Sequence, residues 1–342
     1  MTTIRYPWET PPENGEMIKI AEGVHWLRLP LPMKLDHVNI YVLDDGDGWT
    51  LIDTGMKSRR VQAMWQAVCD GPLRGKPVKR VVATHHHPDH IGFHGWFVEE
   101  FGAEYVSTQV AYLMGRMLTM DIQERYTEGQ IEFYRRAGMR ADLLAARQDE
   151  RPFNFSDIVH PIPIGFARIE EGDVIEMGGR SWDVRVDHGH APDHATFWSR
   201  DDNLVLCGDQ VIASISSNIG VYPTEPDANP LADWLHSCAR LQNFARADHL
   251  ALPGHKLPFV GMPMRLRQLE ENHHGALTRL RADLKTPKTA GEVMMAVFKR
   301  QIGDGEYGLG LVEALAHCNY LWHAGEVTRS LHQDGAYRWV MN

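Results

Sequence analysis

The run Thr84-His85-His86-His87-Pro88-Asp89-His90 concentrates the side chains of this sequence best suited to holding metal ions. It follows an apolar stretch at 78–84 with the pattern of a buried strand and precedes a helical stretch at 91–101. Its side chains therefore leave a strand at the carboxyl end, where groups from several strands converge. His85 and His87, two apart in extended backbone, project to one side and can grip one ion. Asp89 and His90 leave at the turn and can reach a second. Imidazole nitrogen and carboxylate oxygen are both ordinary zinc ligands. Three residues further on stand in the same kind of place: His190 in Gly189-His190-Ala191-Pro192-Asp193-His194, Asp209 in Cys207-Gly208-Asp209, and His255 in Leu252-Pro253-Gly254-His255. A single residue of this kind is more often a satisfied loop group than a ligand. Together with the first run, the three complete two coordination sets.

Strands must end at each of these positions. The first quarter supplies strand-like stretches at 23–29, 38–43 and 49–52, the last stopping at Asp53-Thr54-Gly55, and a helix is expected near 59–69. Strand character returns at 172–175, 182–186, 195–198 and 203–207. Strands followed by helices in both halves argue for an α/β layered fold. Between the halves, about 107–155, Val110, Leu113, Met114, Met117, Leu118 and Ile122 recur at helical spacing, with Ile131 and Tyr134 in a second stretch, which reads as a helical insertion. The last eighty residues change again. Leu266, Leu269, His273, Leu277, Leu280 and Leu284 form one helical stripe; Thr289 and Glu292 form a capping box opening a helix at 293–298; a third helix is expected at 309–322, and Asp334-Gly335 marks a hairpin. Three helices and a hairpin make a winged-helix-like pattern. The expected division is a catalytic domain at 1–262 and a small C-terminal domain at 263–342.

Composition narrows the function. The chain has 342 residues, 43% hydrophobic and 23% charged, and a formal charge of -10, so it can bury a substantial core and offers no global field for nucleic acid or an anionic membrane. No stretch is apolar over about 18 residues. The start, Met1 to Trp8, lacks the apolar core of a secretory signal, and the four cysteines show no CxxC pair, so a cytoplasmic location is expected. Cys69 reads as a buried helix thiol rather than a nucleophile. There is no G-x-S-x-G turn for a serine nucleophile.

The motifs Leu51-Ile-Asp-Thr-Gly55, H-x-H-x-D-H, G-H-x-P-x-H, G-D and P-G-H, in this order over about 20 to 260, resemble the metallo-β-lactamase superfamily of hydrolases. The resemblance implies a four-layer αβ/βα sandwich with the site at its edge. It implies that His85, His87 and His190 hold one metal, that Asp89, His90 and His255 hold the other, and that Asp209 bridges both. Asp53 would orient the loops behind the site. The sequence departs from the family pattern at Asp193, where glycine is usual and which adds a carboxylate near the metals, and at Lys256, where a glycine is common. With that ligand set full, His86, His94 and His194 are expected behind the site or in solvent. A closer resemblance, to glyoxalase II-like hydrolases with a helical insertion and a winged-helix-like C-terminal domain, rests on Val38-Asn39-Ile-Tyr41, Pro230-Leu231, Leu257-Pro258-Phe259, His273-His274 and the stretch from Glu313 to His317.

The function so implied is a dinuclear hydrolase with two divalent ions, zinc foremost and iron or manganese as alternatives, about 3.5–4 Å apart with a hydroxide between them. Asp89 and Asp209 would be its catalytic carboxylates and a small acyl substrate, thioester or ester, its partner. A lactonase, a persulfide dioxygenase and a phosphodiesterase or nuclease share the ligand set; a non-catalytic regulator reading DNA through the C-terminal domain is a separate class. The helix at 309–322 has no Lys or Arg, which argues against DNA reading and leaves docking, a homodimer included, as its role. The insertion would select substrate, with Tyr112, Met114, Met117, Tyr126 and Tyr134 on its wall and Tyr222 as a further contact. His273-His274 would serve packing or surface.

Overall fold

The computed structural model describes residues 3–342. Strands β1 (Met17–Ala21), β2 (Val24–Pro30), β3 (His37–Asp44) and β4 (Trp49–Ile52) form an antiparallel meander. After helix α1 (Arg59–Asp70) the chain returns in β5 (Val78–Val82), parallel to β4. Helices α2 (Pro88–Ile91) and α3 (His94–Phe101) lead to β6 (Glu104–Ser107), and α4 (Gln109–Met120), α5 (Glu128–Arg136), α6 (Ala141–Asp149) and α7 (Phe155–Ile158) intervene before β7 (Ala167–Arg168) completes a seven-stranded sheet. The second sheet has six strands: β8 (Val174–Met177), β9 (Arg180–Asp187), β10 (His194–Ser199), β11 (Leu204–Gly208) and, after α8 (Pro230–Gln242), β12 (Leu250–Pro253) and β13 (Phe259–Val260). Helices α9 (Met262–Asp283), α10 (Met294–Phe298) and α11 (Asp304–His323) follow, with a closing hairpin of β14 (Val327–Leu331) and β15 (Tyr337–Met341).

The two sheets face each other, and helices cover both outer faces. Trp26, Tyr41, Ile52 and Val82 of the first sheet pack against Trp182, Val184, Phe197 and Leu206 of the second. On the far side of the first sheet, Ile40, Val42, Leu51 and Val81 meet Val61 and Trp65 of α1 and Phe97 of α3. β3 shows why: Ile40 and Val42 point one way, Tyr41 and Leu43 the other, and all are buried because the sheet is covered on both faces. The outer face of the second sheet, Val205, Cys207 and Ala251, shares one core with Leu231 and Trp234 of α8 and with α9, α10 and α11. Each fully buried Val, Leu, Ile or Phe among them contributes roughly 1.5–3 kcal/mol on burial. This is the four-layer αβ/βα sandwich that the resemblance implies. Among the described residues no helix is long and apolar enough to cross a membrane.

Three local features sharpen the sequence reading. The apolar stripe of α4 does not face the core: Leu113, Met117 and Met120 are exposed, whereas Ala111, Tyr112, Gly115 and Thr119 are buried. A Cβ on Gly115 would lie 2.8 Å from Ile91 Cδ1, so close approach of backbone, not side-chain size, set that face. The Thr289–Glu292 capping box forms, with both backbone-to-side-chain hydrogen bonds, yet closes a turn, and α10 starts at Met294. Helix α11 starts at Asp304, ahead of the expected 309, and runs through Gly305 and Gly308.

Candidate metal centre

Four strand ends meet at one edge of the sandwich. The loop after β5 brings His85 and His87, the loop after β9 brings His190, the end of β11 brings Asp209 and the loop after β12 brings His255. Ligand atoms of His85, His87 and His190 all lie within 4.8 Å of one another, as do those of Asp89, His90 and His255 and those of His85, His90 and Asp209. His85 Nε2 and His87 Nδ1 are 3.0 Å apart. Two nitrogens on one tetrahedral zinc, with bonds of ~2.0–2.1 Å, are separated by about 3.3 Å. Asp209 Oδ2 lies 3.5 Å from His90 Nε2, 3.6 Å from His190 Nε2 and 3.2 Å from His255 Nε2. One carboxylate oxygen therefore faces histidines of both groups.

The far side of four of the five imidazoles is tied down, whereas His87 turns Nδ1 itself toward His85. Nδ1–H of His90 donates to Asp53 Oδ2 at 2.7 Å, that of His190 to the Asn218 carbonyl at 2.8 Å, and that of His255 to the His37 carbonyl at 2.7 Å. Thr84 Oγ1 donates to Asp53 Oδ2 at 2.8 Å and so accepts from His85 Nδ1 at 3.0 Å. These tautomers, assigned from the network, leave the Nε2 lone pairs pointing inward. His90 Nε2, His190 Nε2 and Asp209 Oδ1 are buried with no hydrogen-bond partner. Buried lone pairs without donors are costly, and divalent cations among them would satisfy all three. The nitrogen and oxygen donor set fits zinc, iron or manganese.

The three carboxylates set the two halves apart. Burial and the neighbouring histidines His90 and His87 hold His85 well below the usual imidazole value; burial and His190 do the same to His87. For His90, burial is outweighed by Asp209, Asp89 and Asp53, which raise it well above that value. His255 is likewise pushed up to about 10 against burial, by Asp209 and Asp89. Asp209, which burial alone would raise, is held well below the ordinary carboxylate value by His255 and His90.

Backbone strain accompanies this precision. Asp53 has φ 63° while its carboxylate accepts from Thr84 N, Thr84 Oγ1 and His90 Nδ1. Lys256 has φ 68°, the conformation that suits glycine, and its N–H is held by His37 Nε2 at 2.9 Å. A Cβ on Gly254 would be driven into Asp209 Oδ1 and would lie 2.8 Å from His90 Cε1, so only glycine fits between these two ligands.

Several contributing residues lay outside the sequence reading of the site. Asn39, a polar residue in an otherwise apolar strand, fixes the loop before His255 by donating to the Pro253 carbonyl at 2.9 Å and the Lys256 carbonyl at 2.7 Å; that mismatch was the available signal. His37, Asn218 and Glu313 carried none. His194, expected behind the site or in solvent, is buried, accepts the Asp209 N–H at 2.9 Å and stacks on His85. His86 and His94 are buried too; His94 Nδ1 pairs with Thr54 Oγ1 at 2.8 Å. Asp193 is not among the metal-facing groups. Its Oδ1 lies 3.6 Å from His188 Nδ1 in a groove shared with Arg240 and Glu171, to which none of the seven ligand candidates contributes. His273 is buried, not surface, with Nδ1 3.3 Å from His317 Nε2.

Of the aromatic residues expected to meet substrate, Tyr112 packs inward, stacked on Phe166 with its hydroxyl donating to the Pro163 carbonyl at 2.7 Å. Tyr126 and Tyr134 adjoin each other, ring centroids 6.2 Å apart, and Tyr222 lies on the loop after Asp209.

Comparison with known proteins places this geometry. Residues 33–255 match the family model described as Metallo-beta-lactamase superfamily, and residues 277–342 match that described as Metallo-beta-lactamase-like, C-terminal domain. "Probable metallo-hydrolase YqjP" of Bacillus subtilis (strain 168) is 26% identical over 306 residues, 88% of this chain and 92% of that protein. The crystal structure of a beta-lactamase domain protein from Burkholderia ambifaria is 34% identical, with a TM-score of 0.88 over 99% of this chain and 97% of that one. A metallo-beta-lactamase family protein from Thermus thermophilus is 28% identical, with a TM-score of 0.79 over 95% of this chain and 100% of that one.

Proposed function

The chain belongs to the metallo-beta-lactamase superfamily, and within it we propose a dinuclear metal-dependent hydrolase that cleaves a small acyl substrate, a thioester or ester. The observation that carries this reading is Asp209 Oδ2, set within 3.6 Å of Nε2 atoms from both histidine groups. His85, His87 and His190 would hold one cation, Asp89, His90 and His255 the other, with Asp209 shared. Two divalent cations held there would supply Lewis acidity and an activated water at neutral pH.

The chain's own groups do the rest. The Nδ1–H anchors of His85, His90, His190 and His255 fix those four imidazoles so that no reorientation is needed during reaction. Asp89 has an 18% accessible side chain against 8% for Asp209 and 3% for Asp53, which makes it the carboxylate of the site most open to incoming substrate and water. The charge of -10 disfavours a polyanionic nucleic-acid substrate.

Elemental analysis of the purified protein, followed by a panel of thioesters, esters, lactones, phosphodiesters and a persulfide, tests this. About two metal equivalents and turnover of thioesters or esters are expected; turnover confined to phosphodiesters or to the persulfide would overturn the acyl assignment.

A further inference from the structure

A second cluster sits between the insertion and α11. The Arg147 guanidinium lies 5.0 Å from the Tyr126 ring centroid and 4.2 Å from that of Tyr134, and it donates to the Tyr126 hydroxyl. Neighbouring arginines are neutralised: Arg135 and Arg136 by Glu132, Arg140 by Asp142 and Asp304, Arg151 by Asp157. Arg147 has no carboxylate within ion-pair distance among the described residues, and one phenol satisfies only one of its five N–H donors. Helix α11 closes the other side, since a Cβ on Gly308 would lie 3.4 Å from Arg147 Nη2.

From this cluster a wall leads to the metal ligands. Tyr222 is 42% exposed, yet burial foremost, then Tyr134 and Glu313, push its hydroxyl up to about 12. The neighbouring Val221 N–H donates to the Val312 carbonyl at 3.1 Å, which holds the loop carrying Tyr222 against α11. Glu313 Oε2 accepts from Asn218 Nδ2 at 2.8 Å, and the Asn218 carbonyl holds His190. Gly308, Val312 and Glu313 of α11 thus connect Arg147, the loop carrying Tyr222 and, through Asn218, His190.

We propose that Arg147 anchors an oxyanion, a carboxylate or a phosphate, at the far end of the acyl substrate, while Tyr134 and Tyr222 line the path from that anion to the scissile carbonyl. The proposal rests on the hydrolase reading above. A guanidinium already stacked on two rings has lost much of its side-chain freedom, so its planar fork meets an oxyanion at little further entropic cost. The competing role is a purely structural clamp holding Tyr126 to Tyr134.

Matched thioesters whose acyl chains end in methyl, carboxylate or phosphate separate the two, using the metal-loaded full chain and R147M. The expected result is a loss of about 10-fold or more in kcat/KM, carried mainly by KM, for one or both charged tails, and a change below about 2-fold for the methyl tail; the more affected tail identifies the anion. Equal loss on all three assigns the clamp and overturns the proposal, as does no loss on any. Should no thioester be turned over, which is a failure of the hydrolase reading, calorimetric titration of the same two proteins with glutarate and with inorganic phosphate still decides. About 10-fold weaker binding of either anion to R147M is expected, and equal affinities for both overturn the proposal. If R147M does not fold, R147K, which keeps charge and stem but not the fork, takes its place in both measurements.

Discussion

The Nδ1–H of His190 donates to the backbone carbonyl of Asn218 at 2.8 Å. Asn218 is in turn held from the C-terminal helices, its side-chain amide donating to Glu313 Oε2 at 2.8 Å and to the Leu309 carbonyl at 3.2 Å. A second tie runs alongside. Ser216 Oγ donates to His273 Nε2 at 3.3 Å, His273 Nδ1–H to His317 Nε2 at 3.3 Å, and His317 Nδ1–H to the Glu313 carbonyl at 2.8 Å. Burial keeps both imidazoles neutral, His273 at about 3 and His317 at about 4, as this one-way chain of donors requires. Helix α11 is thus part of the apparatus that aims a candidate metal ligand.

Glu313→Ala should therefore loosen the metal held by His85, His87 and His190 by about 10-fold, the lower end of the effect of losing an outer-shell partner. Graded chelation with elemental analysis should remove one equivalent early and leave the other as tightly bound as in the native protein. Simultaneous loss of both would contradict the link from Glu313 to His190.

Glu313 also predicts a pH signature. Burial pushes its carboxyl up to about 7 from an ordinary 4.5. The folded state therefore keeps a proton that the unfolded chain releases, so this contribution to stability is complete below about pH 4.5 and is lost as pH rises through 7. Glu313→Gln lacks the ionisation. Urea unfolding of the metal-free proteins should show the variant gaining on the native protein by about 1–3 kcal/mol between those pH values. A pH-independent difference would mean that Glu313 titrates normally.

Asp53 combines a positive φ with three accepted hydrogen bonds. Asp53→Ala strands those donors at a cost of about 1–3 kcal/mol and should weaken metal retention by about 10–100-fold. Asp53→Gly loses the same bonds but relieves the left-handed backbone, so it should be more stable than the alanine variant by up to about 1 kcal/mol. Thermal unfolding of the pair checks the ordering, and an alanine variant at least as stable as the glycine one would refute the strain argument.

Asp209→Ala should lose at least one metal equivalent and most hydrolytic activity, because among the described residues no other carboxylate faces both histidine groups. Native activity with native metal content would remove Asp209 from its shared position.

The layered α/β fold and the convergence of seven ligand candidates were legible in the chain itself. Short motifs at strand ends announce themselves, because a strand delivers its last side chains to a predictable edge. His85, His87, Asp89 and His90 needed only local geometry, and His190, Asp209 and His255 needed only the rule that strand ends share that edge. Tertiary structure alone decided the rest. His194 under Asp209, the carbonyls of His37 and Asn218 behind His255 and His190, and the reach of Glu313 to Asn218 across 95 residues depend on which surfaces pack together. The outward stripe of α4 has the same origin: periodicity locates an apolar face, but the close approach at Gly115 chose the face that is buried. Backbone carbonyls carry no side-chain identity and long-range packing leaves no local spacing, so neither can be read from the order of residues.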